Sequence, residues 1–266
     1  MQDDLNFPAC SFPIGELSRK TGVNSVTLRA WERRYGLLRP QRTEKGHRLY
    51  GEQDVECVQQ ILLLMKRGVP LRKIRPLLAG QVALPPAQHN EDALDWQQQC
   101  RGWLEQLDRA ALERGLQQLC KQYPPDWCRQ QVIEPLFGWL LDHPARAALD
   151  ALLQAGLMRY VLRYPPANKA CLLVMASEQT APWRAAWLAL EQDGCWLPGA
   201  FSLTALQHWL HLQPAQAVLY CLDGVLNAAH TVQLQQLLHA HPGLRVQGTA
   251  AELAFAGHEQ VVRAML

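Results

Sequence analysis

Val26-Thr27-Leu28-Arg29-Ala30-Trp31-Glu32-Arg33-Arg34-Tyr35-Gly36-Leu37-Leu38 is the stretch on which the reading of this chain turns. It reads as a helix running to about Tyr35. Asn24 or Ser25 can cap it, because a side-chain oxygen there satisfies first-turn amides that have no partner. Just upstream, Ile14-Gly15-Glu16-Leu17-Ser18-Arg19-Lys20 reads as a shorter helix ended by Thr21-Gly22. Helix, Gly-bearing turn and second helix form the helix-turn-helix arrangement. Downstream, the segment from Leu37 to Tyr50 sets a basic loop with Gly46 between two apolar arms, as a β-wing would. Asp54 to Arg67 and Pro70 to Leu78 complete this first region as two more helices, the second opened by Pro in its favoured first-turn place.

Charge separates this region from the rest. Residues 1–80 carry 14 Lys and Arg against 8 Asp and Glu, a net of +6, whereas residues 81–266 hold 12 basic and 16 acidic residues, a net of −4. A basic module on a mildly acidic body suggests a polyanion partner for the first part alone. The 266 residues are enough for two or three domains. Gly80-Gln81-Val82-Ala83-Leu84-Pro85-Pro86 and Tyr164-Pro165-Pro166-Ala167-Asn168 mark the breaks, giving regions 11–79, 91–165 and 168–266.

Region 91–165 is helix-patterned throughout, and Pro124-Pro125 and Pro144 divide it into about four helices, as in an antiparallel bundle. Leu149, Leu152, Leu153, Leu157, Tyr160 and Val161 form one apolar stripe at helical spacing. Pro135 should kink the third segment or shift its start. Region 168–266 alternates. Ala170–Ala176, Cys195–Leu197, Ala217–Leu222 and Leu244–Val246 read as strands, with helices near 182–192, 202–212, 227–240 and 250–265. Such alternation implies a parallel sheet covered on both faces, a small doubly wound, Rossmann-like domain. The expected fold class is therefore mixed α and α/β: an N-terminal winged helix-turn-helix, a central four-helix bundle and the α/β domain.

No apolar run approaches the length of a membrane helix, and Met1-Gln2-Asp3-Asp4 is unlike a signal peptide, so a soluble, cytoplasmic protein is expected. The eight Cys, at 10, 57, 100, 120, 128, 171, 195 and 221, include no Cys-x-x-Cys, and most of them read as buried free thiols.

The string Ile14-Gly15-Glu16-Leu17, Thr21-Gly22-Val23, Val26 to Leu38 and Gly46-His47-Arg48-Leu49-Tyr50 resembles the MerR family of transcription regulators over about seventy residues. Trp31-Glu32-Arg33-Arg34-Tyr35-Gly36 and the Gly-His-Arg-Leu-Tyr wing look like the subgroup that holds MlrA-type regulators of curli and biofilm matrix and CarH-type cobalamin photoreceptors. The resemblance implies contacts to phosphates and bases from Arg29 and Trp31 in the helix and Arg42 and Arg48 in the wing. Ser25, Thr27, Arg33, Lys45 and His47 join them as candidates, since a helix in the major groove offers such side chains to base edges and phosphates. His47 stands where many relatives have Tyr. Leu17, Val23, Val26, Leu28, Leu37 and Leu49 are expected in the core.

Cobalamin binding in this subgroup resembles an Asp-x-His-x-x-Gly turn after the first strand, together with a bundle Trp ten residues before a Glu-His pair. Here the turn reads Ser177-Glu178-Gln179-Thr180-Ala181-Pro182, and Val132 and Asp142-His143 stand at the other places, so no cofactor is expected. Cys120 with Cys128 could hold a soft cation, but the pair flanks Tyr123-Pro124-Pro125 inside the bundle rather than a loop after a long dimer helix as in metal-sensing relatives. His208 with His211 and His239 with His241 lack a Cys or carboxylate partner at ligand spacing, and Asp223-Gly224 after a strand is a weak enzyme signal. No catalytic or metal residues are assigned. The expected partners are double-stranded promoter DNA, a second copy in a homodimer, RNA polymerase, and a protein antagonist or small ligand at the third region. The family's usual action is activation by promoter distortion. A repressor controlled by a protein antagonist stands as the alternative, and so does a ligand-sensing or enzymatic α/β protein with an accessory DNA module.

Overall fold

The computed structural model describes residues 11–80, 90–163, 172–192, 194–255 and 257–262. They belong to two compact units, Met1–Leu149 and Asp150–Leu266.

The first unit opens with α1 (Ile14–Thr21) and α2 (Ser25–Ala30), the latter continued by a π-helical turn at Trp31–Tyr35. Gly22 ends α1 in the left-handed conformation, φ 73°, where a side chain would be strained. Of the two candidate caps, Asn24 is the one used: its Oδ1 accepts from the Thr27 amide at 2.8 Å. A hairpin follows, β1 (Gln41–Arg42) antiparallel to β2 (Arg48–Leu49), with Arg42 opposite Arg48. Its turn is closed by Gly46 N–H to the Thr43 carbonyl at 2.8 Å and Thr43 N–H to the His47 carbonyl at 2.9 Å. Phe12 and Tyr50 exchange backbone bonds beside it. Then come α3 (Glu52–Lys66) and α4 (Leu71–Leu78), with Pro70 just outside the second rather than within it. Leu17, Val23, Leu28, Leu37, Val58, Ile61 and Ile74 are buried as the core of this part.

Helices α5 (Glu91–Glu105), α6 (Arg109–Gln122), α7 (Pro125–Cys128), a second π-helical turn at Arg129–Ile133 and α8 (Glu134–Leu140) form a helical layer in the same unit. Asn90 and Asp108 cap α5 and α6. Gly115 lets these two helices approach, since a Cβ there would collide with the Trp103 ring. Pro135 falls in the first turn of α8, and the turn before it widens to the π form, which accommodates the amide that proline lacks.

Helix α9 (Arg146–Val161) crosses the boundary between the units. The expected breaks lie elsewhere, at 80–86 and 164–168, and all of these residues but Gly80 are outside the described residues. From Asp150 on, α9 belongs to the second unit, where the Tyr160 ring lies 5.7 Å from that of Trp187.

The second unit is a parallel sheet: β3 (Leu173–Ala176), β4 (Cys195–Ala200), β5 (Val218–Cys221) and β6 (Leu244–Gln247), in the order β4-β3-β5-β6. Helices α10 (Pro182–Glu191), α11 (Leu203–Leu212), α12 (Ala228–Ala240) and α13 (Thr249–Ala254) connect or follow the strands. Successive strand residues point to opposite faces. Val174, Ala176, Leu219 and Cys221 pack on Ala185, Leu188 and Ala189 of α10. Met175, Val218, Tyr220 and Val246 pack with Leu206 and Leu210 of α11 and Leu234 and Leu238 of α12. The expected helix over 250–265 is corrected: α13 stops at Ala254, and Val261 bridges Val246 at the sheet edge. Gly257 and the β-branched pair Val261-Val262 favour that extended return over more helix. Residues 263–266 lie outside the described residues. Among the described residues no helix is long and apolar enough to cross a membrane.

Candidate nucleic-acid interface

One face of the segment 25–35 and the hairpin beside it carry the basic side chains. Arg29 and Arg33, one helical turn apart, are exposed, as are Arg34, Arg42, Lys45 and His47; Ser25 and Arg48 are half-buried. Glu32 ties helix to hairpin. Its Oε2 accepts from Arg48 Nε at 2.6 Å and its Oε1 from Arg42 Nη2 at 3.3 Å. The hydrogen bond to Glu32 holds the Arg48 guanidinium above its ordinary pKa. Burial, and then the Glu32 charge, push the neighbouring Tyr50 phenol up to about 12.

Two expected contacts are corrected. Thr27 and Trp31 are fully buried and cannot touch DNA in this arrangement. Trp31 lies two positions from both Arg29 and Arg33, which is about 200° around a helix, so it occupies the opposite face. Its indole Nε1 donates to the Gln122 carbonyl at 2.7 Å. Val26 is corrected in the other direction: expected in the core, it is 43% exposed. Positions 26, 29 and 33 share a face at helical spacing, so Val26 is a candidate apolar contact that sequence reasoning missed.

A family model for "MerR HTH family regulatory protein" matches residues 12–81. The HTH-type transcriptional regulator MlrA of Escherichia coli is 30% identical over 193 residues, covering 68% of this chain and 76% of that protein. This chain belongs to the MerR family. MlrA of Salmonella typhimurium is 32% identical over 151 residues, 56% of this chain and 60% of the relative's length. The HTH-type transcriptional repressor CarH of Myxococcus xanthus is 28% identical over 137 residues, 47% of this chain and 45% of that protein.

Beyond the MerR segment, the strand carboxyl ends of the second unit are where open α/β sheets bind ligands. Here their loops bond to one another. The buried Thr180 hydroxyl donates to the Cys221 carbonyl at 2.9 Å, accepts from the Asp223 amide at 3.0 Å and meets Ser177 Oγ at 2.9 Å. Gln179 Oε1 accepts from the Val225 amide at 3.1 Å and fills the space that a side chain on Gly224 would take. Asp223 Oδ1 pairs with Arg184 at 3.4 Å and accepts from the Thr249 amide at 3.3 Å. These residues do not fit cobalamin: the turn offers no His to the metal, and its Ser177, Gln179 and Thr180 side chains already hydrogen-bond within the loops.

The remaining candidates are dispersed. Val132 is fully buried in the π turn, and His143 Nδ1 accepts from the Ala145 amide at 3.1 Å. Cys120 and Cys128 are buried in the helical layer. His211 faces His241 and His239 faces His258, with ring centroids 6.1 and 6.4 Å apart, so the pairs formed are not those adjacent in sequence. Among the described residues no three His, Cys, Asp or Glu side chains gather as a metal site.

Proposed function

We propose that this protein is a sequence-specific transcription regulator that binds double-stranded promoter DNA as a homodimer. The observation that carries this reading is the exposed row of Val26, Arg29 and Arg33 beside a hairpin bearing Arg42, Lys45 and His47, with Trp31 buried behind it. On this reading the hairpin is the wing of a winged helix-turn-helix, and the helix enters the major groove, where Arg reads guanine and an apolar side chain meets the thymine methyl. Ser25, Arg42, Lys45, His47 and Arg48 engage the flanking phosphates. Helices α5 to α8 stand for the expected central bundle, and the parallel sheet, with its switch point between β3 and β5, serves as a small doubly wound, Rossmann-like domain.

The proposed action is activation. Two half-sites held by a two-fold dimer allow the protein to distort the intervening promoter, and RNA polymerase then engages the altered spacing. The resemblance to MlrA-type regulators directs the search for targets to biofilm-matrix, curli and stress promoters. Repression relieved by a protein antagonist is the second reading, and the hydrogen bonds that join the loops at the sheet's carboxyl ends favour it over control by a small ligand. The test is to enrich duplexes from a random-sequence pool with the full chain and to footprint it on them. Two inverted half-sites whose centres lie one helical repeat or a multiple apart support the reading, and transcription with purified polymerase separates activation from repression. Enrichment of a single, asymmetric site contradicts the dimer.

A further inference from the structure

We propose that Gln122 is the positioning residue through which the helical layer fixes the DNA-reading helix; the proposal rests on the DNA-binding reading above. Gln122 is the last residue of α6, and its carbonyl is among those a helix leaves without an internal partner. The Trp31 indole supplies that partner at 2.7 Å. The Gln122 side chain works on the same helix. Its Oε1 accepts from the Tyr35 hydroxyl at 2.6 Å, while its Nε2 donates to the Gln118 carbonyl at 3.2 Å and so sets which way the amide faces. Gln122 is 8% exposed, and a buried amide left partly satisfied is costly, so this geometry is strongly preferred over its neighbours.

Trp31 and Tyr35 bound the π-helical turn. Two hydrogen bonds from side chains four residues apart to one residue fix both the axial position of that helix and its rotation. An apolar contact of the same area would allow sliding. The bonds lie behind the helix and Arg29 and Arg33 lie in front, so a displacement at the end of α6 reaches the groove-facing arginines without touching DNA.

A second brace keeps the same two parts together. Asp92 in the first turn of α5 accepts from the Leu71 amide at 2.9 Å, from Arg72 Nη1 at 3.1 Å and from the Tyr123 hydroxyl at 2.7 Å. Tyr123 follows Gln122 directly and stacks on Trp127 with centroids 4.0 Å apart. Loss of the Gln122 side-chain bond therefore loosens the helix without detaching the two parts.

The test uses the full chain with Tyr35→Phe, Gln122→Met and both together, on a duplex enriched by the wild-type protein and on a scrambled duplex of equal length. Each single variant is expected to bind the enriched duplex about threefold to tenfold more weakly, the span of one buried hydrogen bond. The double variant should be no weaker than Gln122→Met alone, because the only bond lost in Tyr35→Phe is already among those lost in Gln122→Met. Binding to the scrambled duplex should stay as in wild type. Amide hydrogen exchange over residues 25–35 should quicken in both variants while that of α3 is unchanged. Wild-type affinity in the singles, multiplying losses, an equal loss on the scrambled duplex or unchanged exchange would each overturn the proposal. Failure of the wild-type chain to enrich any duplex would instead contradict the DNA reading, and the proposal with it.

Discussion

Arg48 of β2 donates to Glu32, in the π turn that continues α2, across 2.6 Å, and the same carboxylate takes Arg42 from β1. One acidic side chain thus holds the hairpin against the helix while sitting between two arginines proposed to meet phosphates. Glu32→Gln separates these effects. Stability should fall by at most about 1 kcal/mol, the range for ion pairs that are partly exposed, as Arg42 is. Affinity for scrambled DNA should rise, because a negative charge beside the phosphates is removed. Urea unfolding and anisotropy titration measure the two; weaker binding to scrambled DNA would show that the carboxylate does not compete with phosphates.

Alkali should destabilise the fold through its buried thiols. Burial raises Cys100 to about 12, with Cys120 contributing, and Cys221 to about 12, with Asp223 contributing, from an ordinary value of 9.0. Between those limits the unfolded chain loses thiol protons that the folded chain keeps. The stabilisation is complete below pH 9 and declines as pH rises towards 12. Thiol-reagent labelling of the native protein at pH 8 should accordingly be slow at both positions, and rapid labelling of either would contradict their burial.

Cobalamin should not bind. Purification with added adenosylcobalamin in the dark should yield protein without a corrinoid spectrum, since the loops that would receive the cofactor are bonded through Thr180, Gln179 and Asp223. A corrinoid co-eluting at near one per chain would contradict this and point to a light- or cofactor-controlled regulator.

Local signals carried most of the fold. Gly22 and Asn24 mark the turn between the first helices by conformation and capping, and strand–helix alternation announced the parallel sheet, whose element ends lie near the expected ones. What the sequence concealed depends on distant partners. Trp31, amid arginines, looks like part of an interface, yet its hydrogen-bond acceptor is 91 residues away. Helical phase held the missing signal, since it sets Trp31 opposite Arg29 and brings Val26 beside it. The β-branched pair Val261-Val262 leans towards extended backbone, but only the pairing of Val261 with Val246 shows where that segment goes. Gln179 and Gly224 are unremarkable apart; only their proximity shows that the loops close on each other.

The DNA-reading face is tested most directly by titrating wild type, Arg29→Ala and Arg33→Ala against the enriched and the scrambled duplex from 50 to 200 mM salt. Wild-type affinity should fall steeply with salt, as counterions return to the duplex. Each substitution should cost about 1–3 kcal/mol on the enriched duplex where the arginine reads a base, and less on the scrambled one. Salt-independent binding, or both variants binding the enriched duplex as wild type does, would contradict the assignment of this face to DNA.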